Sequence, residues 1–555
     1  MEIQVKGHSG CHIEVVNEEN GIYVYKSTSD SRFISRLSLQ AQKQKAAANI
    51  EHPHIRVPKI YEIQENFGTT TIKMQYVYSK NFIEFFEQAG FEQIEYFIDA
   101  LKSFIEYEIS QCSLQKIPVK VFQNKFADIS KRMACSPVYR GFCDINVEKT
   151  SLKADIDNVL ARCQCFFDNM EDMTIPVGLC HGDLTFSNIL FNGNNYYLID
   201  FLDSFIETPL QDIVKIRQDT AFGWSQLMYT KPYDDVRLSL IFNKIDYEIN
   251  SYFADKYQWY TDFYRPMQLM SILRILPYAH DKKVILYILR VLNALLADDR
   301  LESSILVEDY VNNEYPYRSI NLQDKREPLS CGQRSLIMPI AADKPEYSHN
   351  LPPVFLIAED GVMYCIRALK SLDLTKFEHI YITILKYLDE KYALTDRLAL
   401  QLKVNGIENA EIVVLDEPTA SQPETIYKTI QNKGIKGGIF VKDSDCSFTG
   451  ECVYDNAVVI HPLEELERVI PKNKSYVNVD DMYYITNIIE KRIVSHYFTA
   501  GGYSFDDADT YCHYYERLSG TRGLYISHLI YSMLLDGYRF RPIFATSYED
   551  FEFNF

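Results

Sequence analysis

Asp183, Asn188 and Asp200 are the residues of this chain whose types and spacing most directly suggest chemistry. They stand in CHGDLTFSNILFNGNNYYLIDF, Cys180 to Phe201, where carboxylates and amides crowd against the apolar runs NIL and YYLID. Phosphoryl transfer asks little covalent work of a protein. It must hold phosphates, offer oxygen donors to Mg²⁺ and place one base beside the acceptor hydroxyl. In HGDLTFSN an aspartate and an asparagine lie five positions apart on one loop, so one can accept a proton while the other faces metal. YYLID then delivers Asp200 from a strand end, 17 positions after Asp183, the reach of a loop and a short hairpin. The structural alternative is an Asx-rich loop capping two strands, since Asp and Asn favour turns.

The stretch resembles the catalytic motif of the aminoglycoside phosphotransferase and choline kinase family, in which HGDxxxxN is followed by an IDFxD-like segment. Here those read His181-Gly182-Asp183, Asn188, and Ile199 to Asp203. The resemblance implies that Asp183 is the catalytic base, that Asn188 and Asp200 are Mg²⁺ ligands, and that ATP donates the phosphate. It also implies an α+β protein-kinase-like bilobal domain.

The elements that must position these residues can be read upstream. EIQV, HIEVV and IYVYK, separated by the turn signals KGHSGC and NEENG, suggest a three-strand meander. SRFISRLSLQAQKQKAAANI has helical composition, and RVPKIYEI and TTTIKMQYV read as two more strands. From FIEFFEQAG to about residue 312 the pattern is mostly helical, so residues 1–312 form the first domain, with a small lobe over about 1–80 and a helical lobe over about 81–312. Gly7, Ser9 and Gly10 lie where a kinase glycine loop would cover the triphosphate, and Lys26 ends the third strand as a phosphate-binding lysine does. A hairpin turn and a solvated charge are the alternatives. The family usually pairs that lysine with a helix glutamate, whereas the helix here offers Gln40, Gln42 and Gln44. IKMQYV resembles the family's hinge, which implies Gln75 and Val77 at the adenine ring.

The HRD, DFG and APE motifs of eukaryotic protein kinases are missing, so a small-molecule alcohol is the expected acceptor. Asp203, Asp212, Asp219, Trp224 and the run YQWYTDFY could surround a cation. Core packing and solvated helix faces explain the same residues. Choline, ethanolamine and an amino alcohol or amino sugar all stay open.

Residues 313–333, NEYPYRSINLQDKREPLSCGQ, lose apolar periodicity and read as a linker. Over 334–555, near-continuous apolar runs such as HIYITIL, AEIVVLD and AVVIHP alternate with helical stretches, which argues a mostly parallel, doubly covered sheet. Asp443 and Asp445 follow the run GGIFVK, where a divalent ion and a nucleotide diphosphate bind in α/β sheets; two acids after a strand are also ordinary turn residues. The region resembles a degenerate sugar nucleotidyltransferase, with an α/β nucleotide-diphospho-sugar transferase-like fold. NIIEKRIVS resembles that family's substrate-side element, with Glu490 and Lys491, or else is a charged turn of an amphipathic helix. Asp550 in YEDFEF would be a further metal carboxylate, or part of a solvated acidic tail. AADKPEYSHN lacks the family's GxGxxR, and LPPV lacks its signature lysine. Transfer with CTP or another NTP and a regulatory or structural sheet domain are both open.

Length and composition agree with this division. At 555 residues the chain exceeds one core and calls for at least two domains. A net charge of -19 argues against a nucleic-acid partner, which leaves a small-molecule alcohol and nucleotides. The 12 cysteines are scattered, and Cys163 and Cys165 have the wrong spacing for a CxxC site. They read as free thiols. MEIQVKGHSG has no signal-peptide pattern, and no apolar stretch reaches 18 residues, so a cytoplasmic protein with no membrane insertion is expected. By analogy, a phosphorylated and then nucleotide-activated alcohol would feed surface or capsule polysaccharide synthesis. The competing class is a nucleotide-binding scaffold without turnover.

Overall fold

The computed structural model describes residues 11–31, 33–49, 51–66, 68–136, 139, 147–279, 281–297, 334–341, 351–450, 455–466, 470 and 473–551. These fall into two compact units, one drawn from Met1–Phe86, Gln93–Tyr233 and Ile241–Asn313, the other from Glu87–Glu92, Asp234–Leu240 and Glu314–Phe555. The expected linker, 313–333, lies outside the described residues, as does EIQV.

The first unit opens with β1 (His12–Glu18) and β2 (Gly21–Thr28), followed by helix α1 (Ile34–Ala47). Next come β3 (Ile55–Arg56), β4 (Ile60–Asn66) and β5 (Thr69–Gln75). Four of these strands make an antiparallel sheet in the order β1-β2-β5-β4. Along α1, Leu37, Ala41 and Gln44 recur at helical spacing and are buried. Leu37 and Ala41 pack on Ile60, Ile72 and Met74 of the sheet. The expected strand RVPKIYEI divides: β4 enters this sheet, whereas β3 leaves it to pair with a strand of the hairpin that follows Asn188. Pro58 between them cannot donate a ladder hydrogen bond, which suits a break there.

After β6 (Ser113–Ile117) and β7 (Met173–Val177), which pair with each other, the stretch from Cys180 to Phe201 makes a 3₁₀ turn at Phe186–Asn188 and the hairpin β8 (Ile189–Asn192) and β9 (Asn195–Leu198). Gly193 turns that hairpin at φ 54°. The hairpin is fastened from below by aromatic packing. Phe186 lies 5.4 Å from Phe86 and 5.5 Å from Phe242, and Phe191 stacks on Phe85 at 4.5 Å. Burying such rings is worth roughly 2–3 kcal/mol each. The "NIL" and "YYL" runs are therefore the anchored side of the stretch, and its polar residues are what remains above.

The helix Pro209–Thr220 runs next to this stretch. Thr208 caps it by accepting from the Leu210 N–H at 3.3 Å, and Pro209 occupies its first turn, where a missing N–H costs nothing.

The second unit centres on a mixed sheet. Its strands are β10 (Arg334–Pro339), β11 (His379–Leu385), β12 (Ala410–Leu415), β13 (Gly438–Lys442), β15 (Ala457–Pro462), β16 (Ser475–Val479), β17 (Ile485–Glu490), β18 (Tyr497–Phe505) and β19 (Arg541–Phe544). A separate pair joins β14 (Cys446–Thr449) to β20 (Ser547–Asp550). Strands β12, β11, β10 and β13 are parallel as expected, but β18 runs antiparallel between β13 and β15. The expectation of a mostly parallel sheet holds for one half of it. All but the first residue of β18 are buried, so its burial pattern carries no mark of direction. NIIEKR, whose alternative reading was a helix turn, forms the end of β17. Among the described residues no helix is long and apolar enough to cross a membrane, and the described cysteines are free thiols.

Candidate active site in the first unit

The site begins with a buried histidine. The His181 ring accepts from the Asp183 N–H through Nδ1 at 3.2 Å, so its proton sits on Nε2, which donates to the Ile199 carbonyl at 2.9 Å. Burial pushes its pKa down to about 4, so it stays neutral and braces the loop against the β9 end. Gly182 has φ 87°, and a Cβ there would lie 1.9 Å from the Leu202 carbonyl oxygen. Only glycine fits.

Asp183 follows. Its Oδ1 lies 3.1 Å from the Lys215 ammonium, and Asn188 Nδ2 donates to its Oδ2 at 3.2 Å and to its backbone carbonyl at 2.8 Å. Burial would raise the Asp183 carboxyl, but Lys215, with smaller help from His181 and Arg274, outweighs it and holds the group below its ordinary value. The Asp183 carboxylate is thus ionised, 30 % exposed, and held by two neighbours.

Three polar residues of one helix face serve this loop. Asp212, Lys215 and Asp219 are spaced three and four apart on Pro209–Thr220. Asp212 accepts from the backbone N–H groups of His181 and Gly182, the latter at 2.7 Å. Lys215 meets Asp183. Asp219 accepts from the Phe186 and Ser225 N–H groups at 2.5 and 2.8 Å. Asp212 and Asp219 were expected as possible partners of a cationic acceptor. Both are fully buried and committed to backbone donors instead, where an acceptor prevents unsatisfied N–H groups. Within the YQWYTDFY run, Tyr260 and Tyr264 are core, and Tyr264 lies under the Arg217 guanidinium at 4.4 Å, whereas Gln258, Thr261 and Asp262 are exposed. That guanidinium is held by Asp246 through two 2.9 Å hydrogen bonds.

Asp200 stands two residues beyond β9 in the left-handed region, φ 63°, which turns its carboxylate back toward the sheet. There it meets Lys26 at 2.6 Å. The partner missing from α1 is therefore Asp200. Gln44 donates to the Pro58 carbonyl at 3.1 Å, and Lys43, which sequence reasoning passed over, reaches Glu207 at 2.6 Å and the Leu202 carbonyl at 2.8 Å. Gln75 ends β5, with its N–H bonded to the Lys59 carbonyl at 2.8 Å, and the Val77 carbonyl accepts from the Ser79 hydroxyl at 3.3 Å. Gly7, Ser9 and Gly10 lie outside the described residues.

In the second unit, Asp443 and Asp445 follow β13, and the β14–β20 pairing sets Asp550 opposite Cys446. Gly501 and Gly502 let β18 approach: a Cβ on Gly501 would lie 2.5 Å from the Cys446 sulfur, and one on Gly502 2.6 Å from Val459. Burial and Asp445 together raise the Asp443 carboxyl. Asp550 pairs with buried Lys474 at 2.6 Å, and Lys442 donates to the Asp443 and Cys446 carbonyls. Among the described residues no three His, Cys, Asp or Glu side chains are grouped to hold a metal ion. The Lys474–Asp550 pair has the same length as the Lys26–Asp200 pair of the first unit, and Lys442 bonds backbone carbonyls in place of the carboxylates. Lys491 is bonded to the Tyr525 hydroxyl and lies 4.3 Å over its ring, and Glu490 accepts from Ser475 and Ser527. AADKPEYSHN falls largely outside the described residues.

Comparison with solved structures gives three likenesses of note. A nucleoside-diphosphate-sugar pyrophosphorylase from Vibrio cholerae RC9 is 16% identical over 38% of this chain and 91% of its own, with a TM-score of 0.32. The inositol-1-phosphate CTP transferase from T. maritima is 16% identical over 40% of this chain and 89% of its own, at 0.32. A thermostable mutant of aminoglycoside phosphotransferase APH(4)-Ia is 10% identical over 54% of this chain and 94% of its own, at 0.37. No curated protein matches the chain. Residues 136–234 match the family model "Phosphotransferase enzyme family", and that span takes in Asp183, Asn188, Asp200 and Lys215 together.

Proposed function

We propose that the first unit is an ATP-dependent phosphotransferase acting on the hydroxyl of a small molecule. The observation that carries this reading is an ionised Asp183 fixed by Lys215 and Asn188 inside the matched span, with Asp200 and Lys26 paired beside it. In the reaction, Asp183 accepts the acceptor's hydroxyl proton as the acceptor oxygen bonds to the γ-phosphorus. The bond from that phosphorus to the bridging oxygen breaks, and its electron pair leaves with ADP. Asn188 and Asp200 offer an amide and a carboxylate oxygen, a donor set that fits Mg²⁺. When bound, the ion neutralises phosphate charge. Lys26, released from Asp200, steadies the phosphates, with the turn of Gly7, Ser9 and Gly10 over them and Gln75 and Val77 along the adenine edge.

We further propose that the second unit, residues 334–555 in the division by sequence, binds a nucleotide such as CTP and converts the phosphorylated product to a nucleoside diphosphate ester. Asp443 and Asp445 would face the nucleotide and Lys491 the transferring phosphate, in a cytoplasmic route to surface polysaccharide. The Lys474–Asp550 pair favours a second reading, a nucleotide-binding unit without turnover.

The test is phosphate transfer from ATP to a panel of alcohols, with Asp183→Asn beside the wild type and CTP added afterwards. Transfer is expected to fall at least a thousand-fold in the variant while MgATP binding survives. Retained transfer refutes the base assignment. Pyrophosphate release from CTP would mark an active second unit.

A further inference from the structure

Two lysines, one from the small sheet and one from its helix, reach the same loop. Lys26 of β2 meets Asp200 at 2.6 Å, and Lys43 of α1 meets Glu207 at 2.6 Å and the Leu202 carbonyl at 2.8 Å. Helix α1 holds the sheet through Leu37, Ala41 and Gln44, so Lys43 leaves it on a different face. Glu207 is itself tied down. Its Oε1 accepts from the Ser204 N–H at 2.6 Å, its Oε2 from the Cys180 thiol at 3.2 Å, and its backbone carbonyl from the Gly178 N–H at 2.9 Å. Asp203 stands exposed in the middle of the loop, and none of these bonds uses it.

The loop needs holding because of Asp200. A residue other than glycine at φ 63° occupies a sparsely populated region and persists there only where its surroundings fix it. Before Asp200, the Ile199 N–H donates to the Asn188 carbonyl at 3.0 Å; after it, the Leu202 N–H donates to the His181 carbonyl at 3.0 Å. The Leu202 carbonyl completes the turn by accepting from Lys43, a charge-assisted bond and so roughly twice as strong as a neutral one. The same ammonium lies against Gly182, where a Cβ would stand 3.4 Å from it. Lys43 thus touches the loop of Asp183 and the turn of Asp200 together. Lys26 cannot substitute for it, because its bond is to the Asp200 carboxylate, the group a metal ion would need.

Resting on the kinase reading above, we propose that Lys43 is a positioning residue: paired with Glu207 and bonded to the Leu202 carbonyl, it keeps the Asp200 turn in place while the Asp200 carboxylate exchanges Lys26 for Mg²⁺. Helix α1 carries no acid, so its link to the site runs through this cation.

The experiment is a calorimetric titration of the full chain with ADP, in Mg²⁺ and in EDTA, for the wild type, Lys43→Met, Lys43→Arg and Glu207→Gln, with Tm measured for each. The wild type is expected to bind ADP at least ten-fold more tightly in Mg²⁺ than in EDTA. Lys43→Met and Glu207→Gln should each lose most of that gain while binding in EDTA changes less than two-fold, and the double variant should lose no more than either alone. Lys43→Arg should recover part of the loss. Glu207→Gln keeps an acceptor for the Ser204 N–H, so it removes the charge without opening the turn. A full gain in both charge-removing variants overturns the proposal and leaves the kinase reading standing. A loss that is equal in Mg²⁺ and EDTA, or a collapse of Tm in both variants, marks a tie that is only structural and overturns it too. A wild type with no gain from Mg²⁺ overturns the kinase reading and this inference together.

Discussion

Replacing Lys215 by methionine keeps the length of the side chain and removes its charge, 3.1 Å from Asp183. The two side chains are 12 % and 30 % exposed, so water screens the pair only in part. At an effective dielectric near 20, unit charges about 4 Å apart attract by about 4 kcal/mol, and an adjacent cation typically lowers a carboxylate by roughly 1–3 pKa units. Discounting for the partial exposure leaves roughly 1–3 kcal/mol of attraction, so the Asp183 carboxyl rises once Lys215 is gone and burial acts unopposed. The Asp183 carboxyl is depressed in the wild type, so the base is lost only as pH falls through that depressed value. In Lys215→Met the acid limb of kcat/KM should therefore move to higher pH, with the deficit largest at low pH and shrinking as pH rises. The assay is phosphate transfer across pH 4 to 9 with the best acceptor of the panel. An unmoved limb with a uniform loss of rate would refute the claim that Lys215 acts through the ionisation of Asp183.

Gly182→Ala must place a Cβ 1.9 Å from the Leu202 carbonyl at a positive φ, which costs about 1–2 kcal/mol from conformation alone and more from the clash. We expect a fall in Tm of several degrees and loss of transfer; an unchanged Tm would show that the loop is not held as described. Burial raises Asp219 from an ordinary 3.8 to about 6, despite its two backbone donors. A raised folded pKa gives stability that is complete below the unfolded value and lost as pH climbs through the folded one, so this group contributes roughly 3 kcal/mol near pH 3 that is gone by pH 7. Urea unfolding of wild type and Asp219→Asn at several values between pH 4 and 7 should show a steeper fall in the wild type by about that amount, the slope left in the variant coming from the likewise raised Asp212, and parallel curves would contradict it.

The polar residues of the stretch Cys180–Phe201 were legible because their spacing is local. Asp183, Asn188 and Asp200 occupy one loop and hairpin: Asn188 bonds Asp183, and the Ile199 N–H beside Asp200 donates to the Asn188 carbonyl at 3.0 Å. What stayed hidden is what depends on distant chain. The partner of Lys26 is 174 positions away, at a residue whose φ of 63° no composition rule announces. In the second unit, the lysine paired with Asp550 comes from the residue before β16, and Lys442 at the end of β13 bonds the Asp443 and Cys446 carbonyls; neither carries a motif. The direction of β18 was hidden for a different reason, since a strand buried on both faces looks the same in either orientation.

One signal was present and can be read in hindsight from the helix after the motif. Asp212, Lys215 and Asp219 sit at helical spacing on a segment whose other residues are almost all buried, so the three cannot be a solvated face. Charged side chains in that setting need partners, and the nearest unsatisfied groups are the N–H donors of a tight loop. The order of contacts follows the order of the chain: Asp212 serves His181 and Gly182, Lys215 serves Asp183, and Asp219 serves Phe186. The helix thus copies the loop residue by residue, fixing the backbone with carboxylates at both ends and the base with a cation between them. That alternation explains why one aspartate of the neighbourhood remains ionised below its ordinary value while burial raises its two neighbours: only Asp183 faces an ammonium at contact distance, whereas Asp212 and Asp219 face dipoles. The same division separates positioning from chemistry, because a fully buried carboxylate committed to backbone donors is out of reach of an acceptor hydroxyl.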